Sequence, residues 1–185
     1  MILTIPNILT LLRILLVPWM THALLCRDFD RVLFLFGIAG ITDALDGFIA
    51  RRFRMTSRLG SFLDPAADKV LVVVTVLTAA TLGLIPWWLS LLVAGRDILI
   101  VTGVAVWYLR AGEMTMEPSL SSKLNMVIQV VVIFLVIASA GGHLEITPVR
   151  PLLFTISVAA ATVSGGEYIL VWGGRYQTIR RRREG

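Results

Sequence analysis

The sequence predicts an all-α integral membrane protein: six transmembrane helices, a short interfacial segment at the N-terminus, and residues 1–185 as a single domain. Three observations carry this expectation. First, 57% of the 185 residues are hydrophobic and only 16% are charged, with a mean hydropathy of +0.84. A soluble domain carries about 25% charged residues. Second, six apolar segments are long enough to cross a bilayer or nearly so: 7–26, 31–53, 60–82, 86–109, 122–141 and 148–172. Third, turn-forming residues punctuate them: Gly60, the run Gly83 to Pro86, Gly141-Gly142 and Pro148.

The first segment reads MILTIPNILTLLRILLVP. It has no early basic region, Arg13 interrupts its apolar run, and no small-residue cleavage site follows, so it is expected to be a span and not a secretion signal. Pro6-Asn7 suggests a short interfacial turn or helix before the first span. Asn7, Thr10 and Arg13 recur every three residues and suggest a polar stripe on the headgroup side, with a plain helix entry as the alternative. The second segment opens at Asp30 or Arg31, with Asp30 as N-cap. Between the second and third lies a basic loop, 51–59. With the N-terminus in the cytoplasm, the inner loops carry Arg51, Arg52, Arg54, Arg58, Arg110 and Lys123, and the tail carries Arg175 and Arg180 to Arg183. That is eleven basic residues, against Arg27, Arg31 and Arg150 outside. The excess of inner positive charge places both termini and the 51–59 loop on the cytoplasmic side. The basic tail is expected to be solvated or to meet anionic lipid heads.

Composition also excludes some classes. The formal charge is +5, but the basic residues sit at the ends of apolar runs as membrane anchors, so no nucleic-acid partner is expected. Cys26 is the single cysteine and cannot form an internal disulfide. One cysteine and two histidines make a zinc site of nitrogen and sulfur ligands improbable.

The chemistry concentrates in ITDALDGFIARRFRMTSRLGSFLDPAADK, residues 41–69. Asp43, Asp46, Gly47 and Ala50 are spaced by three and four, which puts them on one face of the second helix. Gly60, Asp64 and Asp68 share a face of the third. Four carboxylates at one membrane surface repel one another and are expensive to bury as bare anions. Divalent cations relieve both costs, and all-oxygen ligation suits Mg²⁺, Mn²⁺ or Ca²⁺. Two such ions can clamp a phosphoryl centre during displacement. Gly47, Ala50 and Gly60 keep the wall between the carboxylates low enough for a planar base to approach. Arg51, one turn beyond Gly47, can reach a phosphate. The structural alternative is that the aspartates cap helices or pair with Arg51, Arg52 and Lys69.

The pattern D-x2-D-G-x2-A-R-x8-G-x3-D-x3-D, met at every position from Asp43 to Asp68, resembles the signature of the CDP-alcohol phosphatidyltransferases. The resemblance covers most of the chain. It implies a six-helix membrane enzyme, commonly a homodimer, holding two Mg²⁺ or Mn²⁺ ions at the cytoplasmic face. Asp43, Asp46, Asp64 and Asp68 would be metal ligands, and Asp68 also the general base. Gly47, Ala50, Arg51 and Gly60 would line the CDP site. The implied reaction moves a phosphatidyl group from CDP-diacylglycerol to an alcohol and releases CMP.

Two further clusters are candidates for the acceptor site: Arg96-Asp97 in the fourth segment, and Pro118-Ser119 with Ser122-Lys123-Leu124-Asn125 opening the fifth. Arg96 and Lys123 are the acceptor-binding candidates. An internal Arg96–Asp97 pair and an interfacial anchor are their respective alternatives, and Arg110 reads as an anchor too. The stretches IPNILTLLRI, GRDILI and EPSLSSKLNMVIQVV look like cardiolipin synthases of the CDP-diacylglycerol type, whose acceptor is phosphatidylglycerol. Phosphatidylglycerophosphate synthases, which use glycerol 3-phosphate, share the layout. They tend to carry Glu where this chain has Asp97, and a second lysine that the 122–126 segment lacks. The expectation therefore leans to phosphatidylglycerol, with glycerol 3-phosphate as the alternative and inositol phosphate or serine behind both. Phospholipase D chemistry needs paired H-x-K motifs, and His22 and His143 are followed two residues on by Leu24 and Glu145. An ion-coupled transporter is the remote alternative. A structural membrane adaptor explains none of the aspartate spacing. With no transit segment, a bacterial plasma membrane is the expected location.

Overall fold

In the computed structural model, which describes residues 5–53, 60–111 and 119–184, Pro6 lies in the first turn of a helix, where its missing N–H costs nothing. The chain therefore runs as one helix, α1, from Ile5 to Leu25, and no separate interfacial turn precedes the span within those residues. Side chains are described outside 5–10, 43–44, 46–53, 60–68, 104–111 and 171–184. Five more helices follow: α2 Phe29–Phe53, α3 Gly60–Thr81, α4 Trp87–Ala111, α5 Leu120–Ala140 and α6 Arg150–Glu184. No strand occurs among the described residues.

Local chemistry sets most of the boundaries. Arg27 adopts a left-handed φ of 58° after α1, which turns the chain so tightly that α2 begins at Phe29. Asp28 is then the cap, its Oδ1 accepting the Arg31 N–H at 3.2 Å. The expected cap, Asp30, lies two residues later, inside the first turn, and instead accepts from His143 Nε2 at 2.7 Å. α3 ends in paired bonds, Gly83 N–H to Ala80 O and Leu84 N–H to Ala79 O, closed by Gly83 at φ 71°. α5 ends the same way at Gly142, φ 79°, with His143 N–H to Ala138 O. Ser119 caps the start of α5, its Oγ accepting the Ser122 N–H. α6 continues twelve residues past the expected end at 172, into the basic tail. Nothing in the tail breaks a helix as proline would, and arginine is a good helix former.

α1 packs on both α2 and α3, α5 on α2, α3 and α6, and α4 on α3 and α6. The apolar core lies toward the ends of α1 and α3 and the starts of α2 and α4, where Leu24, Val32, Phe36, Val76 and Leu89 share one cluster with Ile133 of α5. At the opposite end, where α2 stops and α3 starts, the interior turns polar. Arg96, Asp97, Asn125 and Gln129 are all buried there. Meanwhile Leu15, Trp19, Phe34, Leu120 and Leu170 stand more than half exposed. Polar residues inside and large apolar side chains outside suit a lipid surround better than water. Two helices among the described residues are long and apolar enough to span, Leu120–Ala140 and Arg150–Leu170; Leu11–Leu25 and Lys69–Thr81 are shorter apolar stretches.

Arg13 departs from the expected headgroup stripe. It is 1% exposed, because α1 packs on α2 and α3 and the face carrying Arg13 is turned inward. Asn7 and Thr10 lie outside the residues with described side chains.

Small residues set how closely the helices approach. Gly103 of α4 lies against the Tyr168 ring of α6, and a Cβ there would stand 2.9 Å from Cζ and 3.1 Å from Cε1. The Tyr168 hydroxyl donates to Ile100 O at 3.2 Å. Gly103→Val is expected to wedge the two helices apart at about 1–3 kcal/mol, read as a lower thermal midpoint in detergent; an unchanged midpoint would show that the contact carries no stability.

Candidate active site

The acidic motif falls on two helices that leave and enter the same end of the bundle. Asp43, Asp46, Gly47, Ala50 and Arg51 lie in the last three turns of α2. Gly60, Asp64 and Asp68 lie in the first three of α3. Only residues 54–59 separate the helices. Because both stretches are helical, the three- and four-residue spacings do place each set on one face. Their side chains, like that of Arg110, lie outside the described residues. No cluster of three or more metal-ligating side chains occurs among those that are described.

Immediately beyond Asp68 the described site begins. Lys69 is partly buried, and its Nζ faces Asp97 Oδ1 of α4 at 3.7 Å. The same oxygen accepts from Arg96 Nη1 at 2.5 Å. Arg96 Nη2 donates to Ser122 Oγ of α5 at 2.9 Å and to Ser164 Oγ of α6. One guanidinium thus links α4, α5 and α6, and the shared carboxylate adds α3. Arg96 Nε is closed from water and has no acceptor. The stem of Arg96 packs over Gly165, where a Cβ would stand 3.6 Å from Cγ, an ordinary van der Waals contact. One carboxylate thus faces two basic side chains in a low-dielectric interior.

A second polar link lies next to it. Ser121 donates to the carboxylate of Glu167 on α6, and Ser119 and Ser121 share a hydroxyl contact of 3.0 Å. Lys123, the other acceptor candidate, is exposed and outside this network. Arg96 is therefore placed in the internal pair that was its alternative reading, and Lys123 at an exposed anchor position.

The sequence reading singled out neither Ser164 nor Glu167, and named Lys69 only as a possible partner of the acidic motif. A signal was present for Glu167: a carboxylate within an apolar span is by default a functional or paired group. Asn125 belonged to a candidate cluster without a role, and Gln129 was not considered. Both are fully or nearly fully buried on one face of α5.

A model of the CDP-alcohol phosphatidyltransferase family matches residues 3–164. The cardiolipin synthase (CMP-forming) of Rattus norvegicus is 44% identical over 108 residues, covering 58% of this chain and 35% of that protein. A "probable cardiolipin synthase (CMP-forming)" of Drosophila melanogaster is 38% identical over 148 residues, covering 71% and 46%. A "probable phosphatidylglycerophosphate synthase" of Mycobacterium tuberculosis is 32% identical over 169 residues, covering 88% and 78%. The chain thus spans less than half the length of these two cardiolipin synthases, and most of the length of the third protein.

Proposed function

The chain belongs to the CDP-alcohol phosphatidyltransferase family, and from that premise we propose that it transfers a phosphatidyl group from CDP-diacylglycerol to phosphatidylglycerol, giving cardiolipin and CMP. The observation that carries the reading is the complete acidic motif, Asp43 to Asp68, divided between α2 and α3 at one end of the bundle.

The reaction is an in-line displacement. Asp68 takes the proton of the acceptor hydroxyl. The oxygen attacks the lipid-side phosphorus, the bond from that phosphorus to the bridging oxygen of the pyrophosphate breaks, and CMP leaves with the electron pair. Arg51 stabilises the charge of the departing phosphate. Gly47, Ala50 and Gly60 leave space for the cytidine. Asp43, Asp46, Asp64 and Asp68 are a fitting donor set for two hard divalent cations, Mg²⁺ or Mn²⁺, because all four are carboxylates on neighbouring helices. When bound, such ions neutralise the carboxylates and the pyrophosphate. The Lys69–Asp97–Arg96 cluster holds α3 in register with α4 beside Asp68.

We place all six helices across the membrane, a bacterial plasma membrane, with both termini and the site at the cytoplasmic face. Homodimer formation is part of the same reading. The second reading, glycerol 3-phosphate as acceptor, is favoured by one observation: the Mycobacterium tuberculosis protein is matched over 88% of this chain. Against it, Arg96 already serves two hydroxyls and Asp97, so a small doubly charged anion would compete with internal partners.

The product decides. Purified protein given CDP-diacylglycerol with phosphatidylglycerol or glycerol 3-phosphate, in separate reactions, is expected to make cardiolipin faster at matched acceptor saturation. Faster phosphatidylglycerophosphate formation would overturn the acceptor assignment and leave the CMP chemistry standing. Ion binding with no CMP release from either reaction would favour a transporter.

A further inference from the structure

The buried face of α5 changes character along its length. Toward its C-terminal end it presents Val132, Ile133, Val136 and Ile137 to the apolar core. One and two turns before these, the same face presents Asn125 and Gln129. Asn125 is 0% exposed, and neither its Nδ2 nor its Oδ1 has a hydrogen-bond partner; Gln129 Nε2 has none either. A buried amide left unpaired on both sides is uncommon in a native interior and calls for a partner.

Helix register shows where these amides sit. α2 and α5 run antiparallel and meet at Phe36 and Phe134, whose ring centroids are 6.3 Å apart. Nine residues along α2 from Phe36 is Leu45, and nine residues back along α5 from Phe134 is Asn125. At 1.5 Å per residue each is about 14 Å from the ring pair. Asn125 therefore stands at the level of Leu45, between the α2 positions of Asp43 and Asp46. By the same count Gln129 stands level with Ile41.

We infer that Asn125 and Gln129 are the groups that bind the glycerol hydroxyls of the acceptor and hold them level with Asp43 and Asp46. This rests on the phosphatidyltransferase reading above. An amide offers a donor and an acceptor, as a hydroxyl does, so the two match without any change of charge. A phosphate would need cations, and neither amide supplies one. Both phosphatidylglycerol and glycerol 3-phosphate bring glycerol hydroxyls, so the amides recognise the part that the two share. The pair is sealed from water, and the acceptor reaches it by parting α5 from α2 at the polar end of the bundle.

The test is Asn125→Leu in the full-length purified protein, with CMP release followed at varied acceptor and at varied CDP-diacylglycerol. The expected result is a KM for phosphatidylglycerol raised roughly tenfold, an unchanged KM for CDP-diacylglycerol, and a thermal midpoint that holds or rises because no unpaired amide is left. A purely structural amide would let the midpoint move without touching the acceptor KM, and that outcome, in a variant that folds beside an active wild type, overturns the inference. Should Asn125→Leu fail to assemble, Gln129→Met, close to it in shape, carries the same measurement. Repeating the titration with glycerol 3-phosphate shows which source of glycerol the site takes. A wild-type protein that releases no CMP with either acceptor sinks the underlying reading, and the inference with it.

Discussion

Asp68→Asn is expected to lower turnover by about 10²–10⁴-fold, the usual effect of losing a general base. The amide has nearly the shape of the carboxylate but cannot take a proton near neutral pH. Position 68 lies well inside α3, which starts at Gly60, so the exchange has no helix end to disturb. The substitution also removes one of four negative charges, and weaker cation binding adds to the loss. Its neighbour Lys69 is tied to Asp97 on α4, which helps keep the local helix packing in place when Asp68 changes. The check is CMP release by purified protein in micelles containing CDP-diacylglycerol, beside a thermal midpoint that reports folding. Near-normal turnover in a folded Asp68→Asn protein would remove Asp68 from the mechanism.

Chelation should have the other large effect. Metal-stripped protein in excess EDTA is expected to release no measurable CMP, and Mg²⁺ or Mn²⁺ should restore it. The reason is electrostatic. In the proposed site four carboxylates come together at the adjoining ends of α2 and α3, where like charges repel in a low dielectric, and bound cations would let them converge on a pyrophosphate. A second readout does not depend on activity. An ion that binds the folded state alone stabilises it by about 2.7 kcal/mol at 100 times its Kd, so the thermal midpoint should climb with added Mg²⁺. Asp43→Asn and Asp64→Asn, one on each helix, should flatten that climb. Full CMP release in EDTA, or a midpoint indifferent to the ion in the wild-type protein, would refute the cation site.

Element boundaries were largely legible in the sequence, because they rest on local chemistry. The expected segments 60–82 and 122–141 became α3, Gly60–Thr81, and α5, Leu120–Ala140. Glycines that can take a left-handed φ close both, and a serine cap opens the second. The acidic motif was legible for the same reason: a three- and four-residue spacing defines a helix face wherever the helix packs. Where a local signal had a close rival, the reading slipped. Asp28 and Asp30 are both plausible caps, and the left-handed Arg27 between α1 and α2 chose Asp28. Pro6 left a turn or a helix open, and α1, starting at Ile5, took it as helix.

What the sequence alone determined, then, is the helical character of the six segments, the end of the bundle that carries the four aspartates, and the family to which that pattern belongs. Tertiary structure decided the rotation of each helix about its axis, and with it every polar partner inside. It turned Arg13 inward, gave Arg96 to Ser122 and Ser164, 26 and 68 residues away, set Glu167 on Ser121, and left the Asn125 amide and the Gln129 Nε2 without partners. The physical reason lies in the solvent. Apolar periodicity marks the buried face of a helix in water, but α2 shows almost none and its outward side chains are as apolar as its inward ones. In lipid, helix rotation is set by small residues and by polar groups finding one another. Those pairings join positions far apart in the chain, and no spacing within a single segment encodes them.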